Sequence, residues 1–527
     1  MEQIDRLFEI SFETCNKVGG IYTVIKTKAK YVVEKFKGKY MLVGFYNKEK
    51  AKVEFDEEKN HEFKEIFENL KSKNIICHYG RWNIEGKPRV ILIESSDFMK
   101  NLNEIKKELW EKYRVDSLFS HYTFDEVVVW GYCVGILLEN LYYYYKNKGE
   151  KNFIAHFHEW ISGSGMLYLK SRNIPIKCIF MTHATVAGRA MTNAGINLYD
   201  KIENGIKNKE ILDLQFVRNL GIIEKHTLEK ACADNCDLFV TVSEITAKEA
   251  EYCLGKKVNF ILPNGIDIEE NIGIEELTLL RRKYGLKTRE FLYAYFSRYY
   301  YIDMEKIRSL FISGRYEFRN KGIDIFIKAL GKLNRELKEE RKNKKFDEEI
   351  YVIAFLFIPA DNYGENKTVM ENIISYEEIK KMIDKEIPTI KDKILKNIIN
   401  GKIYTSSDFC KDIFTEDFLN SCRYKYVSFS ELKSKNAPII THDLKNLNDK
   451  ILNALKSENL LNREEDVVKV IYFPEYLSPE NVLIGLSYEE TILTFDIGIF
   501  PSYYEPWGYT PLETAKHGVI TITTDLN

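Results

Sequence analysis

The sequence predicts an α/β fold with two doubly wound domains, and three observations carry that prediction. Apolar runs of strand length alternate with helical periodicities through the first half of the chain, as expected of a parallel sheet with helices on both faces. A second alternating unit starts afresh at Ser309. Polar residues collect at the carboxyl ends of the strands, where such sheets bind ligands. The 527 residues allow two or three domains, each with its own core. We place the first at 1–275 and the second at 276–527, with a helical insertion at 364–466.

Composition narrows the function classes. Lys and Arg number 77 against 79 Asp and Glu, so bulk attraction to nucleic acid is not indicated. The nine cysteines are scattered, with no C-x-x-C pair, which suits a reducing compartment. The N-terminus lacks the basic and apolar regions of a signal peptide, and no apolar run reaches membrane-spanning length. These features together predict a cytoplasmic protein without a membrane partner.

Leu7–Phe12 reads as the first strand, followed by Asn16-Lys17-Val18-Gly19-Gly20 and a helical periodicity through Ile21, Ile25, Val32 and Phe36. In a strand–glycine loop–helix unit, Gly19 and Gly20 let backbone N–H groups approach an anion, and Lys17 adds a cation. Further strands are expected at Tyr40–Tyr46, Arg89–Glu94, Phe153–Phe157, Cys178–Met181, Leu238–Val242 and Asn259–Leu262, with a helix over Phe124–Tyr144. Their ends carry His156-Phe157-His158-Glu159-Trp160, Thr182-His183-Ala184-Thr185 with Gly188-Arg189 behind, and Pro263-Asn264-Gly265. His156 and His158 share a strand face, where a metal pair lacking a third ligand, a structural role and a sugar-hydroxyl partner all stand as readings. The last is preferred for His158, which shares an edge with the other polar strand ends.

The text from Leu277 to Arg289 is charged and irregular. The strand at Ser309–Ser313 leads into a loop carrying Arg315 and Lys321, then a helix from Asp324. Two cations there can neutralise a leaving diphosphate, although a solvated charged loop reads the same way. Tyr351–Ile358 is another strand. In the insertion, Ile379, Ile383, Ile387, Ile390, Ile394 and Ile398 form a narrow helical stripe suited to a partner subunit, with Pro388 expected to kink it. Val467–Tyr472 resumes the sheet, Tyr488 opens a helix, and Val519–Thr523 reads as a final strand. A doubly wound domain needs a helix over such a strand, so the C-terminal end is expected to be incomplete.

One stretch ties these pieces together: the strand end Ile497–Phe500, then Pro501-Ser502-Tyr503-Tyr504-Glu505-Pro506-Trp507-Gly508-Tyr509-Thr510-Pro511-Leu512-Glu513. Thr510 stands where a helix N-cap belongs, Pro511 at the first helical position and Glu513 three residues after the cap. A helix start of this kind attracts anions. Thr510 and Glu513 also make a capping box worth about 1 kcal/mol. Glu505 lies outside the helix between Tyr504 and Pro506 and is the stronger candidate for chemistry.

These strings, in this order and over nearly the whole chain, resemble the glycogen synthases of animals and fungi. That family consists of retaining glycosyltransferases of GT-B architecture, in which two Rossmann-like domains face across a cleft. The resemblance implies transfer of glucose from UDP-glucose to the non-reducing end of an α-1,4-glucan such as glycogen, without a metal cofactor. This sequence has no Asp-x-Asp pair to hold one. Carried over motif by motif, Glu505 would sit by the donor sugar and diphosphate, Glu513 by the ribose, and Arg315 and Lys321 on the diphosphate with Gly508, Tyr509 and Thr510. His158 would contact the glucose, Lys17 to Gly20 the donor, and Tyr488 would stack on uracil, with Arg189 and Asn264 lining the cleft. A glycogenin-like primer and a homotetramer are further implications. The chain departs from the family where Phe473 replaces a His before Pro474-Glu475, and across Asn204–Ile223. The alternatives are a transferase with a small sugar acceptor, of sucrose or trehalose phosphate synthase type, and an inactive glucan-binding protein.

Overall fold

The computed structural model describes residues 4–268, 273–343, 350–401, 413–430 and 436–526. Two units result: Met1–Glu270 with Tyr504–Tyr509 and Asp525–Asn527, and Asn271–Tyr503 with Thr510–Thr524.

The first unit contains β1 (Arg6–Ile10), β2 (Tyr40–Phe45), β3 (Phe55–Glu57), β4 (Ile76–Trp82), β5 (Arg89–Glu94), β6 (Phe153–His158), β7 (Lys177–Thr182), β8 (Leu238–Thr241) and β9 (Phe260–Ile261). They form one sheet in the order β3-β4-β5-β2-β1-β6-β7-β8-β9. The strands from β5 to β9 run parallel, and Leu42, Val43, Ile91, Ala155 and Phe157 are fully buried, because helices cover both faces of the sheet. β3 and β4 are an antiparallel edge that the sequence reading missed. Strand order reverses between β1 and β6, so the loops following these two strands flank the topological switch point.

Behind β6, the helix Tyr122–Asn147 crosses the helix Glu159–Ser171 at backbone contact. A Cβ on Gly131 would lie 2.3 Å from Ser164 Oγ, and one on Gly165 would lie 2.4 Å from the Gly131 carbonyl. Glycine at both positions permits the approach.

In the second unit, β10 (Ile307–Ser313), β11 (Tyr351–Phe357), β12 (Asn362–Glu365), β13 (His442–Leu444), β14 (Val468–Phe473), β15 (Ile497–Phe500) and β16 (Ile520–Thr523) follow. The main sheet is all parallel, ordered β14-β11-β10-β15-β16, with β12 and β13 an antiparallel ribbon beside it. The switch point lies between β10 and β15, so the loop with Arg315 and Lys321 and the stretch from Pro501 leave the sheet side by side.

Three differences from the sequence reading concern this unit. The charged stretch after residue 273 is the helix Ile274–Phe296, held by burial of Phe291, Leu292, Tyr295 and Phe296 at its end. Among the described residues the insertion holds two helices, Lys367–Ile399 and Glu416–Ser430. By Leu444 the chain has returned to the core, which Leu444, Ile451, Leu455 and Leu460 join. The helix Lys367–Ile399 continues through Pro388, and Ile383, Ile387 and Ile398 are exposed along it. Among the described residues no helix is long and apolar enough to cross a membrane.

Candidate functional site

In the second unit the loop after β10 is fixed by close approach to the end of β15. Gly322 has φ of 65°, and a Cβ there would lie 1.9 Å from the Pro501 carbonyl oxygen. Only glycine meets both demands. Two residues away, the Tyr503 N–H donates to the Asn320 carbonyl at 2.9 Å, and the Arg319 guanidinium stacks on the Tyr503 ring at 4.4 Å. Arg315 and Lys321 are carried on this pinned loop. Arg315 is half-exposed, with Nη2 3.1 Å from Glu317 Oε1. The Lys321 stem lies against Gly314, where a Cβ would be 3.7 Å from its Cδ.

Tyr488 stands at the end of β10, its hydroxyl 3.0 Å from Ser313 Oγ. Burial, then the Glu513 carboxylate, raises its phenol well above the ordinary range. The helix start before it has a complete capping box, Ser487 with Glu490. The second helix start differs from the expected one. The helix is Tyr509–Lys516, preceded by Gly508 at φ 89°, so Thr510 and Pro511 lie within the first turn rather than at the cap and first position. The left-handed Gly508 turns the chain early, and the Thr510 carbonyl already accepts from the Thr514 hydroxyl at 2.8 Å.

The segment Tyr504–Tyr509 packs with the first unit. The Tyr504 hydroxyl donates to Glu249 Oε1 at 2.7 Å, and the Arg189 guanidinium lies 5.7 Å from the Tyr504 ring. Trp507 packs on Met181, Val240 and Val242. The Tyr509 hydroxyl donates to the Gly265 carbonyl at 3.0 Å, and its ring lies against Gly20, where a Cβ would be 3.6 Å from Cδ2. Glu505 is half-buried and close enough to Tyr199 that, after burial and Glu249, it helps raise that phenol. Asn264 lines a cavity of about 370 Å³ with Thr27, Lys28, Tyr31 and Asp267.

The glycine loop is an anion cradle, as its composition predicts, but it holds the chain's own Glu13. The Gly19 and Tyr22 N–H groups donate to Glu13 Oε2 at 2.8 and 2.9 Å. Lys17 is exposed, its Nζ 5.9 Å from the Tyr22 ring centre.

His158 lies behind the surface at the switch point. Its side chain is 0% exposed and both ring nitrogens are engaged, Nε2 with Glu9 Oε1 at 2.7 Å and Nδ1 with His183 Nε2 at 2.9 Å. In this arrangement it has no nitrogen left for a sugar hydroxyl, contrary to the preferred sequence reading. His183 is the half-buried member of the pair. Burial depresses His156, His158 and His183 below the usual imidazole range, and neighbouring cations add to it. With His158 neutral and donating to Glu9, His183 donates to His158 and keeps Nδ1 as an acceptor.

Ligand atoms of Glu9, His156 and His158 lie within 4.8 Å of one another, so Glu9 stands beside the histidine pair where spacing in the sequence did not reveal it. The cation beside Glu9 is the Lys28 ammonium. Burial alone would raise the Glu9 carboxyl, yet Lys28, His158 and His156 hold it well below the usual range. The residues around this charge therefore already neutralise it.

Three more carboxylates escaped the sequence reading because each is distant from the others in the chain. Glu159, at φ 64°, accepts from the His183 and Ala184 N–H groups at 2.7 and 3.2 Å, and burial pushes its carboxyl up to about 7 against the pull of those bonds and Arg189. Glu229 accepts from the Thr182 hydroxyl and the Val186 N–H. Glu249 accepts from the Thr185 N–H and hydroxyl as well as Tyr504. Burial raises both of these carboxyls. Only Glu159 carried a sequence signal, its place at the polar end of β6.

The site residues thus fall into two groups, one per unit. Glu505, Gly508 and Tyr509 stand with Arg189, Asn264 and the Lys17–Gly20 loop. Arg315, Lys321 and Tyr488 stand with Thr510 and Glu513.

The profile of the glycogen synthase family matches residues 9–527. The liver glycogen (starch) synthase of Mus musculus is 33% identical over 524 residues, 99% of this chain and 71% of its own length. The glycogen (starch) synthase of Neurospora crassa is 32% identical over 524 residues, 99% of this chain and 72% of its own. The solved catalytic domain of Starch Synthase IV from Arabidopsis thaliana, bound to ADP and acarbose, is similar over 99% of this chain and 83% of that one, with 11% identity and a TM-score of 0.45.

Proposed function

The chain belongs to the glycogen synthase family and is a glycosyltransferase using a nucleotide-sugar donor and a glucan acceptor, and we propose that the donor is UDP-glucose and the acceptor the non-reducing end of an α-1,4-glucan. The anomeric configuration is retained. The observation that carries the assignment of roles is the fastening of the Arg315–Lys321 loop to Pro501 and Tyr503, which fixes two cations beside the stretch leading to Glu505.

When the glucosyl C1–O bond breaks, negative charge grows on the departing diphosphate and positive charge on the sugar ring. Arg315 and Lys321 meet the first, and the N–H groups at the start of the helix Tyr509–Lys516 add to them. Glu505 meets the second. The acceptor hydroxyl oxygen bonds to C1, and its proton leaves with the diphosphate. Tyr488 stacks on the base and Glu513 takes the ribose. Fixed side-chain cations do the work of a metal, so we propose none as cofactor. His183, as the acceptor-bearing end of its pair, is a better candidate than His158 for a sugar hydroxyl. We further propose a cytoplasmic protein, assembled as a homotetramer through the Lys367–Ile399 helix and primed by a glycogenin-like partner.

The test is incorporation of labelled glucose from UDP-glucose into ethanol-precipitable glycogen, with ADP-glucose in parallel. Incorporation with UDP-glucose is expected. Transfer to small sugars alone would overturn the acceptor, and binding of glycogen without UDP release would overturn the activity.

A further inference from the structure

Three neighbouring strands place Glu9, His158 and His183 in a row. Glu9 is on β1, His158 ends β6 and His183 follows β7. Glu9 is 2% exposed, and the groups bonded to its carboxylate all donate. The Lys28 ammonium meets Oε1, the Tyr40 hydroxyl donates to Oε2, and His158 Nε2 lies 2.7 Å from Oε1. His156, the register partner of Glu9 on β6, stands off with Nδ1 at 3.7 Å.

An ionised carboxylate accepts and cannot donate, so the His158 proton is on Nε2. Against the cost of burial, Lys28 and His158 hold Glu9 ionised. Burial, against the bond to Glu9, keeps His158 from taking a second proton. His158 Nδ1 is therefore an acceptor, and His183 Nε2, 2.9 Å away, donates to it. The proton order is fixed along the whole row, and it ends in a lone pair on His183 Nδ1. Without the carboxylate, both rings could carry their protons on the opposite nitrogens, and the row would end in an N–H. A lone pair takes a group that donates, such as a hydroxyl, and repels a carbonyl or carboxylate oxygen.

We propose that Glu9 is a positioning residue which, through His158, presents His183 Nδ1 to the donor glucose as an acceptor and so makes the site select for a sugar hydroxyl. The proposal rests on the reading of His183 as the partner of such a hydroxyl. Glu9 acts from behind both rings.

The test has two arms. In the parent chain labelled with nitrogen-15 in histidine, imidazole shifts assigned with H158Q and H183Q should show Nε2 protonated in both residues. A His183 protonated on Nδ1 overturns the proposal. The second arm compares kcat/KM for UDP-glucose with that for its monodeoxy analogues. The parent should discriminate against one analogue by about tenfold, and both H183A and E9A should lose that discrimination. E9Q should keep it, because Lys28 can only donate and so turns the amide carbonyl toward itself and His158. This rescue is one that a packing role alone does not produce. Discrimination that depends on His183 but survives in E9A overturns the proposal, as does its loss in E9Q. Should E9A fail to fold, the parent's tautomers and E9Q decide. Discrimination indifferent to H183A overturns the hydroxyl reading, and the proposal with it. No turnover of UDP-glucose by the parent overturns the donor reading instead, and the tautomers then decide whether Glu9 orders the row.

Discussion

Glu505 and Glu513 resemble each other in sequence and differ in surroundings. Glu505 is half-buried beside Tyr199 in a segment fastened by Tyr504, Trp507 and Tyr509, so its carboxylate is held where it can oppose charge on a sugar. Glu505→Gln should therefore lower kcat by about 10²–10³ with little change in donor KM, as read by UDP release; loss confined to KM would deny it a transition-state role. Glu159 carries a different signature. Its carboxyl stands near 7 in the fold against an ordinary 4.5, so between these values the folded chain holds a proton that the unfolded chain has released. Stability from this group is full below about pH 4.5 and is lost as pH rises through 7. Glu159→Gln removes that loss, so its melting temperature relative to the parent should be higher at pH 8 than at pH 5, by about 2 °C or more. An offset equal at both pH values would show that the carboxyl is not raised.

At the scale of elements, the loop between β10 and the helix Ile323–Lys342 depends on Gly322. Alanine there meets both a left-handed backbone and the Pro501 carbonyl, and Gly322→Ala should destabilise the second unit by about 2 kcal/mol or more and weaken donor binding together, measured by urea denaturation and by UDP titration. Parent-like behaviour in both would mean that the loop adapts freely. The exposed Ile383, Ile387 and Ile398 sit on the long helix Lys367–Ile399. Replacing all three by glutamate should leave the far-ultraviolet circular dichroism spectrum unchanged while reducing the mass seen by light scattering from tetramer to a smaller species. A monomeric parent would remove the basis for assembly through this face.

At the scale of the whole chain, the α/β class, the strand–loop–helix order and both cation-bearing loops were legible, because apolar runs and glycine or proline punctuation are local signals. The edge strands β3 and β4 were not: β3 is three residues long, β4 is interrupted by His78, Gly80 and Arg81, and their pairing is set by the neighbouring strands rather than by their own pattern. The helix Ile274–Phe296 was missed because its buried residues cluster at one end instead of recurring every turn. Within the candidate site, Arg315, Lys321 and Glu505 are proposed from motifs. The partners of His158 could not be read this way, since Glu9 and His183 reach it only through strand order. Thr510 shows the remaining limit: a cap is set by backbone angles, and Gly508 sets them two residues earlier than the composition suggests.

The glycine-to-glycine crossing of Tyr122–Asn147 and Glu159–Ser171 also bears on time. Helices in backbone contact cannot slide or breathe without first separating, so the amides of the segment 161–169 should exchange with deuterium only when the surrounding unit opens as a whole. Glu159 stands on the first turn of that helix. Its carboxyl, raised by burial, is thus mounted on one of the slowest clocks in the molecule, and adjustments there on the timescale of turnover must come from the side chains around it.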